Sequence, residues 1–189
     1  MTIQHSLIAD ADLHEPKGVV SAASGKVYQA NGSGSGTWVY PSGKVHAEIY
    51  IDAGATAQTL SSASAYAKLN PGTEWTAGVT NVLTVSAANG TITLVEAGNY
   101  LINFWAHFST AAIANGTLYN FKFNLDGTSS GRTLTVSKFS NGADKLHVAA
   151  TGIVTATAGQ VLSMYVGGDA TSSSTAITVI EAGLSAIKL

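Results

Sequence analysis

His14 and Glu15 are the first residues in the chain that suggest chemistry. They sit in LHEPKG, residues 13–18, and match the opening of a zinc-protease signature. That chemistry requires a second His one helical turn later, but position 18 is Gly and follows the helix-breaking Pro16, so no metal site is expected. The segment reads as a locally hydrogen-bonded turn whose side chains contact a partner. The run GSGSG at 32–36 resembles phosphate-cradling loops in composition, yet no Gly-Lys-Ser/Thr follows and it leads into Trp38 and a strand rather than a helix N-terminus. It reads as a linker. Trp38, a bulky aromatic directly after that run, docks either on its own domain or on a neighbour.

The remaining histidines, His5, His46, His107 and His147, are scattered with no carboxylate at ligand spacing. A Ser-His-Asp set can be assembled on paper from any chain this rich in serine, so its presence in composition carries no weight. The 11 Asp and Glu are spread singly, and Asp126, Asp144 and Asp169 each neighbour Gly or Ala in turn-like segments, unlike the paired carboxylates of a glycosidase. No enzyme, cofactor or metal centre is expected.

The elements that must position any site follow from composition and periodicity. The 189 residues are 46% hydrophobic but only 11% charged, less than half the usual share of about 25%. Such a surface suits packing against other protein. Nine Lys and Arg against 11 acids give a net charge of -2 with no basic run, which makes nucleic acid an unfit partner. Cys is absent, so neither disulfides nor thiolate metal sites support the fold. No stretch reaches the roughly 18 apolar residues of a membrane span, and the N-terminus lacks a signal-peptide pattern, so a soluble, non-membrane protein is expected. The sequons at Asn31, Asn89 and Asn115 read as Asn-Gly turns.

Helical periodicity is nearly missing; LSSASAYAKL, 60–69, is the best candidate and predicts at most one or two helical turns. Strand periodicity dominates. In TITLVEAGNYLINFWAHFS, the residues Ile102, Phe104, Ala106 and Phe108 share one face and predict core. LYNFKFNLDG places Phe121, Phe123 and Leu125 inward and Asn120, Lys122 and Asn124 outward, with Asp126-Gly127 as the closing turn. VHAEIYIDAG, HVAATGIVTATAG, QVLSMYVGG and AITVIEAGLSAIKL supply further strands. Some eight short strands predict a sandwich or jelly roll at 45–189, preceded by a separate segment at 1–44. Opposite the predicted core face of LINFWAHF lie Asn103, Trp105 and His107, an odd set for bare solvent. Either a second sheet of the same subunit or a homo-oligomer interface covers it.

Residues 7–38, which pair LHEPKG with VYQANGSGSGTW, resemble a module near the start of small tailed-bacteriophage virion proteins. Residues 45–189 are similar in layout to the trimeric jelly rolls of the tumour-necrosis-factor (TNF) and complement globular-head type. That likeness rests on TITLVEAGNYLINFWAHF, where Gly98 and Tyr100 match a glycine-x-tyrosine strand start, and on the terminal strand AITVIEAGLSAIKL. Together the resemblances imply an all-β, TNF-like jelly-roll sandwich with an extended N-terminal arm. They imply a homotrimer with Tyr100, Trp105 and His107 at its interface. They further imply a capsid decoration (cement) or head-fibre protein on the virion surface, made in the bacterial host cytoplasm and bound to the major capsid protein. In that reading Leu13 inserts into a capsid groove, His14, Glu15 and Lys17 make rim contacts, Pro16 and Gly18 hold the turn, and Trp38 belongs to the same arm. A short chain beginning at its own Met, with no long shaft, favours the head over the tail. The alternative is a tail-fibre tip that binds a receptor or host-surface glycan, with Trp75 or Tyr119 stacking on sugars.

Overall fold

The computed structural model describes residues 21–30, 32–33, 36–60, 65–69, 74–126, 128–172 and 175–189. LHEPKG, with Leu13, His14, Glu15, Pro16, Lys17 and Gly18, lies outside them. Contacts divide the chain into two compact units, Met1–Pro41 and Ser42–Leu189.

In the first unit, β1 (Val27–Ala30) and β2 (Gly36–Val39) form an antiparallel hairpin. The Gly-Ser run expected to be a linker thus falls between two paired strands in sequence, and its last residue, Gly36, belongs to β2. Tyr28 and Trp38 are register partners whose rings meet edge-on at 5.4 Å. That contact holds the strands together. Gly36 is required by this closeness, because a β-carbon there would collide with the Gln29 carbonyl and the Tyr28 ring.

The second unit holds β3 (His46–Ile51), β4 (Ala57–Thr59), β5 (Tyr66–Lys68), β6 (Trp75–Asn81), β7 (Thr84–Ser86), β8 (Thr91–Leu94), β9 (Gly98–Thr110), β10 (Leu118–Leu125), β11 (Thr128–Ser137), β12 (Lys145–Ala156), β13 (Gln160–Gly168) and β14 (Ala176–Lys188). They build two six-stranded antiparallel sheets. One runs β11-β10-β13-β8-β7 with β5 also on β13; the other runs β12-β9-β14-β3-β6 with β4 also on β14. From β8 onward the chain passes repeatedly between the sheets, which wraps them into a jelly roll.

Strand alternation places the core between them. Tyr100, Ile102, Phe104, Ala106 and Phe108 of β9 are buried, as are Tyr119, Phe121 and Phe123 of β10. Rings from the two sheets interleave, Phe108 lying 5.2 Å from Phe121 and 5.6 Å from Tyr119, and Phe104 lying 5.8 Å from Phe121. Asn115-Gly116 is a turn, with glycine φ of 76°, whereas Asn89 ends a single 3-10 turn, Ala87–Asn89, that Gly90 caps at φ 59°.

Tertiary pairing decides two local features. Within 60–69, residues 66–68 form a strand, because their backbone pairs with β13 while Leu60 and Leu69 enter the core; residues 61–64 of the helical candidate lie outside the described residues. Asn124 is buried rather than outward. Pairing of β10 with β11 shifts register between Lys122 and Asn124, so Phe123 and Asn124 are buried in succession.

Candidate functional site

The outer face of the β12-β9-β14-β3-β6 sheet carries the most distinctive surface. Register sets its side chains in rows across the strands. Ile153, Leu101, Ile187 and His46 make one row, Thr151, Asn103, Ser185 and Glu48 the next, and Ala149, Trp105, Gly183 and Tyr50 the third. His147, His107 and Glu181 follow.

Within the polar row the hydrogen bonds run sideways. The Thr151 hydroxyl donates to Asn103 Oδ1 at 2.8 Å, and Asn103 Nδ2 donates to Ser185 Oγ at 3.4 Å. Polar groups that satisfy one another are cheap to remove from water. The neighbouring rows are apolar and open: Trp105 is 43% exposed and Ile153 52%. Trp105 lies over Gly183, where a β-carbon would strike the indole nitrogen. An open groove of about 400 Å³ lies beside it, lined by Trp105, Tyr50, Ile51, Glu48, Asp52 and Glu181.

The imidazoles are placed for packing. His107 and His147 stack with ring centres 4.2 Å apart, and His107 Nδ1 lies 3.7 Å from Glu181 Oε2, an ion pair when His107 is protonated. Among the described residues no group of three His, Asp or Glu is arranged to hold a metal.

The carboxylates in turns act as caps. Asp126 accepts from the Val161 N–H at 2.8 Å. Asp169 accepts from the N–H groups of Leu118, Thr171 and Ser172. Burial pushes its pKa up, but those bonds outweigh burial and leave it below the ordinary value. Asp144 accepts from the Phe139 and Ser140 N–H groups, and the Ser140 hydroxyl, the largest influence, helps lower its pKa to about 2.

Of the expected interface residues, Trp105 and His107 share this face with Asn103. Tyr100 does not. It is 0% exposed, points into the core, and donates its hydroxyl to the Glu96 carbonyl at 2.8 Å, which ties the corner where β9 begins. Alternation explains the correction: an even-numbered residue of β9 cannot share a face with Trp105 and His107. Trp75 and Tyr119, the aromatics named for sugar stacking, are also buried, Trp75 beneath Gly90 and Tyr119 against Phe108. Trp38 lies in the hairpin against Tyr28. Sequence reasoning missed Tyr50, Gly183 and Glu181 as neighbours of Trp105, and missed exposed Phe139. The Ser-Asn-Gly run after Phe139 was the available signal that it belongs to a loop.

These sheets and this strand order define a jelly roll of the TNF type. Solved structures are similar to it: the Eiger TNF of S. frugiperda matches with a TM-score of 0.51 and 11% identity over 77% of this chain and 92% of its own. The globular domain of zebrafish complement 1qA matches at 0.47 and 14% over 77% and 97%, and murine APRIL at 0.45 and 11% over 76% and 99%. The Eiger likeness shows a shared fold. No family model matches the chain, and no curated protein matches it.

Proposed function

We propose that the protein is a homotrimeric structural protein of a tailed-phage virion, a capsid decoration or head-fibre protein rather than an enzyme. The carrying observation is the outer face of the β12-β9-β14-β3-β6 sheet, where Trp105, Leu101, Ile153 and Ile187 flank a self-satisfied Thr-Asn-Ser row. A half-apolar face of this kind, with Glu48, Asp52 and Glu181 gathered at the groove beside Trp105, fits protein, and a copy of the same chain offers a matching surface chemistry. The virion assignment rests on the resemblance of residues 7–38 to the phage module. In this reading the opening segment, with LHEPKG, attaches to the major capsid protein, and three linked copies multiply a weak contact through effective concentration.

The test compares the full chain with a variant lacking residues 1–20. Both are sized by light scattering and mixed with assembled capsids of the phage that encodes the protein. The reading expects three chains per oligomer in both proteins and capsid binding by the full chain alone. Binding by both, or by neither, would overturn the attachment role, and a monomeric full chain would overturn the oligomer.

A further inference from the structure

Phe139 is 81% exposed in the connection between β11 and β12. The connection is held from below. The Lys138 side chain is fully buried; its amine donates to the carbonyls of Ser140, at 3.0 Å, and Gly142, and lies 3.4 Å from the Asp144 carboxylate. Asp144 accepts from the N–H groups of Phe139 and Ser140 at 3.0 Å each and from the Ser140 hydroxyl at 2.5 Å. Both sides of Phe139 are therefore fixed while its ring stands in solvent. A pre-positioned aromatic loses little freedom on docking, which is the character of an interface anchor.

A surface of matching chemistry exists on the same molecule. The groove beside Trp105 has aromatic walls, Trp105 and Tyr50, and an acidic rim of Glu48, Asp52 and Glu181. The Phe139 corner carries the opposite charge. Lys145, which opens β12, is exposed there. Levels also agree: Lys145 is opposite Ser109 and Glu181 opposite His107, two positions apart along β9. Rotation about an axis along the strands preserves height, so Lys145 of one copy and Glu181 of the next can meet between neighbours of a ring.

We infer that the Phe139–Lys145 corner of each copy docks in the Trp105–Tyr50 groove of the next. Phe139 packs against the aromatic walls, and Lys145 lies beside the carboxylates of Glu48, Asp52 and Glu181. The inference rests on the trimer reading above and adds to it a direction: the contact is head-to-tail, every copy uses both surfaces, and three copies close the ring.

The chain has no Cys, so introduced thiols report the contact directly. A full-length double variant, Phe139→Cys with Asp52→Cys, is oxidised and run on a non-reducing gel, and the untreated sample is sized by sedimentation. Covalent trimers, with neither single variant going beyond two chains, are the expected result. A sample that sediments as a trimer without cross-linking overturns the docking and leaves the trimer standing. A wild-type monomer overturns both, and a ladder that stops at two chains overturns the ring. As a second arm, Lys145→Glu should weaken assembly at least tenfold, and adding Glu181→Lys should restore part of that loss. Circular dichroism of each variant establishes that it is folded, and unchanged assembly of folded Lys145→Glu counts against the charge pairing.

Discussion

Trp105 of β9 and Gly183 of β14 are register partners, and the indole lies so closely over residue 183 that a β-carbon there would collide with it. The glycine makes room for the tryptophan to lie flat across the sheet. Gly183→Val should lift the indole and cost roughly 1–3 kcal/mol, the range for overpacking a filled site. Urea denaturation measures this, and an unchanged midpoint would show that the indole relocates freely.

Removing the ring itself separates assembly from folding. Trp105→Ala deletes a half-exposed side chain, so the subunit should keep its strand content. As an interface anchor it should weaken association by about 2 kcal/mol, or ~30-fold, readable by sedimentation across a dilution series.

Tyr100→Phe should do the opposite. It removes one hydrogen bond to the Glu96 carbonyl inside the subunit, at a cost of about 1 kcal/mol, and should leave oligomer mass untouched. Burial, then the nearby Glu96 charge, raises the Tyr100 phenol pKa above its ordinary 10.0 against the opposing backbone hydrogen bond. A raised acid favours the folded state below the unfolded value, and that stabilisation is lost as pH climbs past 10 through the folded value. The Phe variant should lack Tyr100's share of this alkaline loss in a pH-dependent denaturation series.

Asp144 gives an acid signature. Its pKa is lowered from 3.8 to about 2, so its stabilisation is present above pH 4 and disappears as pH falls toward 2. Amide exchange at Phe139 and Ser140, whose N–H groups bond to this carboxylate, should accelerate in that window relative to the amides of β12. Asp144→Asn should show fast exchange at those amides at neutral pH and no added step in acid. Equal protection in both proteins would show that the carboxylate does not hold the loop.

Much of the fold was legible because strand alternation is a local signal. Ile102, Phe104, Ala106 and Phe108 declared one face of β9, and Trp105 and His107 declared the other. Tyr100 was assigned to the wrong face by family pattern although its even number already placed it inward. What local pattern cannot carry is pairing. Gly183 meets Trp105 only through the register of β14, and β5 is a strand only because β13 offers it an edge. The hairpin at 27–39 was hidden for a related reason, since a Gly-Ser run serves equally as a linker or as a turn between two pairing strands. Phe139 was masked by the strand before it, and its exposure depends on a buried Lys138 whose partners lie in the loop fold itself.

The most direct measurement is the native mass of the full chain at micromolar concentration by sedimentation velocity, with Trp105→Ala alongside. A species of three 19.2 kDa chains that dissociates in the variant is the predicted result. A wild-type protein that sediments as one chain, or a trimer indifferent to loss of Trp105, would contradict the central claim that this sheet face is where copies meet.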